Sequence, residues 1–340
     1  MLIDWNFPFG IENAALACSS AESLGYSAVW TNETPNEPFL PLAAAVAATS
    51  TIGLGTGVAT AFTRSPMVTA LTAWSLQRAS GGRHLLGLGS QVPAHNARRY
   101  GVAEGSYESP GPRMKELVEA LRHIWGAFQG EHSLDFHGRF YTLDLMTPLH
   151  SPGPIEHPHI PVFLSAVRPY GFRLVGEVAD GVHVHSFTTP RYLAEVGLPA
   201  LEEGLARSGR TRANVQLAAA VFVCLADDEA ATQAVRTQVA FYGSTSAYRE
   251  VLELHGFGEL RETLRDAVMS GDSARMADAV DDDVLREFAV VAPTWEDAMR
   301  EVRARFDGLL DRFCVYGLGG TASERDAEAI ASAWRAANAV

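Results

Sequence analysis

Short runs of apolar and β-branched residues, each bounded by Gly, Asn or Pro, recur near Leu2–Phe7, Ala28–Trp30, Ile52–Val58, His84–Ser90, Val162–Val167, Gly181–Ser186, Val215–Cys224 and Arg312–Tyr316. Runs of this kind read as buried strands. Between them, apolar residues return at helical spacing over 12–24, 39–49, 66–80, 112–129, 169–179, 190–208, 227–240 and 294–307, with a last helix over 322–338. Strand and helix alternate. Each crossover through a helix brings the next strand in parallel to the one before, so the pattern predicts a parallel α/β sheet. Eight such units predict closure into a (β/α)8 TIM barrel. An open doubly wound sheet fits less well, because no G-x-G-x-x-G opens a helix with an acidic residue at the required distance; LGLGS at 86–90 lacks that context.

Two stretches break the repeat: about 130–160, with GRFYTL and the proline-rich SPGPIEHPHIP, and about 241–290, which reads as extra helices. The expectation is one barrel domain over 1–340 carrying these two insertions. Long excursions commonly serve as lids or binding loops, and both are expected to leave from the active-site end.

Composition narrows the function. A chain of 340 residues that is 47% hydrophobic and 20% charged supports a large core. A formal net charge of −13 disfavours nucleic acid and acidic membranes, which need a basic surface. The start, MLIDWNFPFG, lacks the basic and apolar regions of a leader, and no apolar run reaches the roughly 18 residues of a membrane span. A cytoplasmic protein acting on a small molecule is expected. Cys18, Cys224 and Cys314 lie far apart in apolar segments and suggest neither a disulfide framework nor a zinc site.

In such a barrel the chemistry sits at the C-terminal ends of the strands. That rule selects Asn32 and Glu33; Gly57, Val58, Thr60 and Arg64; Ser90, Gln91, His95, Arg98 and Arg99; Ala166, Val167, Arg168 and Pro169; and His183, His185 and Ser186. A Schiff-base aldolase is excluded, because the only lysine, Lys115, falls on a helix. The first strand, LIDWNF, lacks the His-x-His of metal-dependent barrel hydrolases, and Glu33 finds no carboxylate partner for glycoside hydrolysis. His183 and His185 share one strand face, without a third ligand for a metal. SAVRPYG at 165–171 ends a strand and opens a helix, so backbone N–H groups there suit a phosphate, with Arg168 as a second contact. An ordinary strand-to-helix turn, with Pro169 in the first helical turn, reads equally well.

The runs AVWTNET, TIGLGTGVATAFTRSPMVTA, GGRHLLGLGSQVPAHNARRYG and IPVFLSAVRPYGFRLVGEVADGVHVHSF resemble the luciferase-like monooxygenase superfamily, and within it the oxidoreductases that use the 5-deazaflavin coenzyme F420. The resemblance implies a cofactor ring over the barrel mouth, its phosphate at Ala166, Val167, Arg168 and Pro169. It places Gly57 and Val58 behind the ring with a non-prolyl cis peptide between them, and Ser90 and Gln91 beside the ring or its ribityl chain. A homodimer is implied as well. Several deazaflavin dehydrogenases carry an acidic residue and then a histidine after the second strand. Here that pair is Glu33 and Thr34, which leaves Glu33, His95 or His185 as candidate catalytic acid–base groups. An FMN-dependent monooxygenase and a flavin-binding protein without turnover are the alternatives.

Overall fold

The computed structural model describes residues 1–6, 10–102, 109–316 and 326–339. Phe7 of the first expected strand and residues 322–325 of the last expected helix lie outside the described residues. The strands, in chain order, are β1 (Leu2–Asn6), β2 (Ala28–Thr31), β3 (Gly53–Thr56), β4 (Ala59–Thr60), β5 (His84–Gly89), β6 (Phe136–His137), β7 (Thr142–Leu143), β8 (Val162–Ala166), β9 (Gly181–Val184), β10 (Gln216–Leu225), β11 (Ala289–Ala292) and β12 (Arg312–Val315). Pairing runs β1-β2-β3-β5-β8-β9-β10-β12, and β12 returns to β1 in parallel. The circuit is a closed eight-stranded parallel barrel with helices outside it, as the alternation of the sequence predicts.

Each strand needs a helix to carry the chain back, and local sequence sets where those helices begin and end. Ser65 caps the helix Pro66–Ser80 by accepting the Val68 N–H, and Gly81, in the left-handed region, closes its other end. Thr294 caps Trp295–Phe306 in the same way.

Alternate residues of the strands point inward and fill the barrel. Trp30, Phe163 and His183 meet there, with ring centroids 5.2 Å (Trp30–Phe163), 4.5 Å (Trp30–His183) and 5.3 Å (Phe163–His183) apart. Beside them lies an ion pair with almost no exposure. Arg312 on the last strand donates two hydrogen bonds to Asp4 on the first, from Nε (2.6 Å) and Nη2 (2.8 Å), and Trp30 Nε1 donates a third (2.8 Å). The Arg312 guanidinium stacks 5.2 Å from the Trp30 ring centroid. Charges taken out of water this far are tolerated only when the remaining lone pairs and protons are also satisfied.

The two insertions differ from expectation. Residues 130–160 join a helix to β8, so they start and finish on the face opposite the mouth, where Trp74 and Arg78 donate to the Gly153 carbonyl and Gln77 to that of His159. From there the small β6–β7 hairpin climbs the outside of the helix Pro110–Gln129, whose Glu116 accepts the N–H groups of Arg139, Phe140 and Tyr141. This segment braces the barrel wall and does not leave from the active-site end. The second insertion contains helices as expected but ends in β11. β10 explains this: its first half pairs with β9 and β12, and its second half, Phe222–Leu225, runs out beyond the barrel and takes β11 as a parallel neighbour.

Removing one partner of the Asp4–Arg312 pair strands the other charge in the interior. Asp4→Ala should therefore cost about 3–5 kcal/mol, read from the urea midpoint, whereas Asp4→Leu combined with Arg312→Met should cost much less. Equal losses in the two variants would show that the pair acts only by filling space.

Candidate functional site

The mouth is shaped by an interruption of the ladder beside β5. β3 pairs with β5 through Leu54 and Gly55, and pairing resumes only with β4, at Ala59 and Thr60. In the gap, Thr56 replaces the missing ladder bonds with its side chain: Oγ1 donates to the Gly87 carbonyl (2.7 Å) and accepts the Gly87 N–H (2.9 Å). A side chain at position 87 would meet the Thr56 carbonyl at 1.8 Å, so glycine is required for this approach. The chain then turns outward through Gly57 and Val58, whose peptide bond is cis, as the resemblance implies. Gly57 lies over Trp30 and His183, and Val58 packs on Gly89 so closely that a Cβ there would come within 2.6 Å of Val58 Cγ2.

Glu33 clamps this bulge. Its own N–H donates to the Val58 carbonyl (3.3 Å), and its carboxylate accepts the Thr60 N–H (2.8 Å) and one Arg64 nitrogen (2.8 Å). Arg64 also reaches Glu37 at 3.0 Å and stacks on Phe39. Burial alone would depress the Arg64 guanidinium, but its bond to Glu33 and the charges of Glu33 and Glu37 raise its pKa above the ordinary arginine value. Arg64, grouped in the sequence with the mouth arginines, thus spends its charge inside the protein.

After β5 the backbone is constrained: Gln91 adopts a φ of 58°, uncommon for a residue with a side chain, and its Oε1 accepts the Val92 N–H. The Ser90 carbonyl accepts from the buried Asn96. His95 and Arg98 are exposed on the short helix Pro93–Arg98 that follows. Arg99 donates to the Thr34 carbonyl and so ties this turn to the loop after β2.

After β8, Ala166 is buried, Val167 is half-buried, and the exposed Arg168 stands at the N-cap of the helix Pro169–Val178, which no side chain caps. The Arg168 guanidinium makes long bonds to the carbonyls of Ala247 (3.3 Å) and Ser246 (3.4 Å) in the second insertion. Tyr192 fixes the same turn by donating to the Val167 carbonyl (3.1 Å).

His183 and His185 do share a face of β9, but their surroundings differ. His183 lies under Gly57 with its Nε2 buried, and desolvation, aided by the Arg312 charge, lowers its pKa to about 3. His185 stands past the strand end, where Nδ1 accepts the Phe187 N–H (3.0 Å) and Nε2 meets the hydroxyl of Tyr248 (2.9 Å). Burial lowers its pKa to about 4. Tyr242 packs edge-on against the His185 ring at 4.5 Å and pairs hydroxyl to hydroxyl with Tyr316 (2.8 Å). Tyr242, Tyr248 and Tyr316 escape a sequence reading because two of them come from the second insertion and reach the mouth only through long-range packing.

A family model described as Luciferase-like monooxygenase matches residues 10–312. The chain belongs to that family. Among its luciferase-like relatives, a Mycobacterium tuberculosis protein of uncharacterized function is 42% identical over 314 residues, covering 91% of each chain. A putative coenzyme F420-dependent oxidoreductase of the same organism is 28% identical over 345 residues, covering 94% of each chain. The coenzyme F420-dependent tetrahydromethanopterin reductase of Methanopyrus kandleri superposes with a TM-score of 0.80 at 22% identity, over 97% of both chains.

Two outcomes follow from the clamp and the histidines. Glu33→Ala leaves the Thr60 N–H and part of Arg64 without their acceptor and should destabilise the fold by about 1–3 kcal/mol, measured by denaturant unfolding; no change would mean that the bulge holds without Glu33. His84, with its pKa lowered to about 4 by burial, joins His183 and His185 as an imidazole held neutral in the folded state. The unfolded chain binds protons at these sites below its pKa of about 6.5, so their stabilisation is complete above that value and is lost as pH falls toward 4. Each contributes a slope of up to about 1.4 kcal/mol per pH unit in that window. Urea midpoints at pH 7 and 4.5 check the sign, and His84→Asn should flatten the slope.

Proposed function

We propose that this luciferase-like protein is an oxidoreductase that binds coenzyme F420 at the barrel mouth and serves hydride transfer between the deazaflavin C5 and a small organic substrate. The observation that carries the reading is the 28% likeness, along nearly the whole of both chains, to a putative F420-dependent oxidoreductase. The residues present fit such a group. The uncapped N-terminus of Pro169–Val178 offers backbone N–H groups and the positive helix end to a phosphate, with the exposed Arg168 as a charged partner. Arg98 stands exposed beyond β5, where an oligoglutamate tail would meet positive charge.

When bound, the cofactor supplies two-electron hydride chemistry. The chain's own part is to orient it. Val58, held by Glu33 and pressed on Gly89, would support the ring; Ser90 and Gln91 would flank it; Val167 and Arg168 would hold the phosphate end. Among the candidate acid–base groups, Glu33 has both backbone and carboxylate committed to the bulge, His95 is exposed to solvent, and His185 is a half-buried imidazole at the mouth whose pKa is lowered to about 4.

The family description, a monooxygenase, favours FMN as the rival cofactor. No helix among the described residues is long and apolar enough to cross a membrane. A homodimer is part of the proposal; Leu16, Leu40 and Val68 stand exposed on outer helices that neighbour one another.

Titration of the apoprotein with oxidised F420 and with FMN tests the assignment: F420 should bind and FMN should not, and micromolar FMN affinity without F420 binding would overturn it. Arg168→Ala should weaken cofactor binding by about 1–3 kcal/mol with little change in melting temperature, because the side chain is exposed. Unchanged affinity would place the phosphate on backbone N–H groups alone.

A further inference from the structure

The proton positions around His185 are fixed by its neighbours. Nδ1 accepts the Phe187 N–H at 3.0 Å and so carries no proton. In the neutral ring the proton therefore sits on Nε2, which points at Tyr248 Oη at 2.9 Å. Burial keeps the ring neutral at ordinary pH. Nε2 is then the donor and Tyr248 Oη the acceptor. The phenol's own proton is left over, and among the described residues no acceptor takes it. Burial raises the Tyr248 pKa, so this proton stays on the oxygen.

The position is the right one for a ligand in the mouth. His183 lies against Gly57, and His185 is two residues further along the same face, about 6.6 Å nearer the mouth. That places the His185–Tyr248 pair past the end of β9, on the mouth side of His183. The described wall here is flat and aromatic: the His185 and Tyr248 rings lie 4.5 Å apart at 31°, with Tyr242 edge-on to both. The hydroxyls of Tyr242 and Tyr316 share one hydrogen bond, and Tyr242 also hydrogen-bonds the Gln238 side chain. Among the described residues the nearby charges are engaged elsewhere: Arg168 makes long bonds to the Ser246 and Ala247 carbonyls and is assigned to the cofactor phosphate, and Glu250 accepts from Tyr192.

We propose that Tyr248, with its hydroxyl direction set by His185, donates a hydrogen bond to the oxygen of a neutral, flat carbonyl substrate, and that this mouth selects against anionic substrates. The proposal rests on the reading of the mouth as a cofactor and substrate site. A carboxylate would have to lose its hydration among three phenols and a neutral imidazole, with no cation among the described residues directed at it, whereas a ketone loses little and gains one donor. Tyr248 would touch the substrate; His185 is a positioning residue.

Three probes of similar shape separate these elements: 2-cyclohexen-1-one, cyclohexene and 1-cyclohexene-1-carboxylate, each titrated by saturation-transfer NMR into the F420-loaded protein. The ketone should bind best. Tyr248→Phe should remove its advantage over cyclohexene, about five- to tenfold for one neutral hydrogen bond, while F420 affinity stays the same. His185→Gln, whose amide can still donate to Tyr248, should keep part of the advantage and His185→Phe should lose it. Nitrogen-15 NMR of the wild-type imidazole should place the proton of His185 on Nε2. Preference for the carboxylate, no binding of the ketone, a ketone advantage that survives Tyr248→Phe, or a proton on Nδ1 would each overturn the proposal. Failure of the wild-type protein to bind F420 counts against the proposed function instead, and the same three titrations into the protein without cofactor then decide the Tyr248 assignment.

Discussion

The pair between Asp4 and Arg312 ties the first strand of the barrel to the last across the closure point, in a place where neither charge reaches water. Its cost is met by a full set of partners: Arg312 supplies two nitrogens to Asp4 and a third to Gln216, and Trp30 adds its indole N–H. Trp30 is thereby fixed in orientation; Phe163 and His183 rest against it, and Trp30 and His183 lie under Gly57. The floor of the candidate site is thus held by the same side chains that close the barrel. A shift at the closure would be felt two layers up, at the Val58 shelf.

The bulge after β3 shows how a local interruption is accommodated without loss of the circuit. The ladder loses its register for two residues, and one threonine side chain restores both a donor and an acceptor to Gly87. Glu33 then holds the far side. The result is a shelf whose position depends on hydrogen bonds made below and beside it, so that its upper surface is left to a ligand.

Much of this was legible in the chain. The alternation of strand and helix gave the barrel, because each buried parallel strand needs a continuous apolar run and each crossover needs an amphipathic helix. The Gly57–Val58 turn, the strand-to-helix turn at Arg168 and the end of β9 were found from their places at strand ends. What escaped was set by distance. Arg64 looks like a mouth arginine until Glu33 and Glu37 fold against it. The hairpin insertion looks like a lid because sequence gives its length and not the face it starts from. AVVA at 289–292 is a run of four residues between helices, and only the overhang of β10 makes it a strand. Tyr248 carries no motif at all; its significance lies in which nitrogen of His185 has been used by Phe187.

That overhang of β10 divides one strand between two sets of neighbours. Gln216–Val221 belongs to the barrel and must keep register with its flanking strands, whereas Phe222–Leu225 takes β11 as its strand neighbour, with helices strung between the two, and touches the rest of the circuit through the Phe222–Tyr316 ring contact. Tyr242 and Tyr248 are carried by the second of these. Changes in the segment that carries them leave the strand pairings of the closed circuit untouched, provided that something continues to cover the four-residue edge, which would otherwise invite a foreign strand.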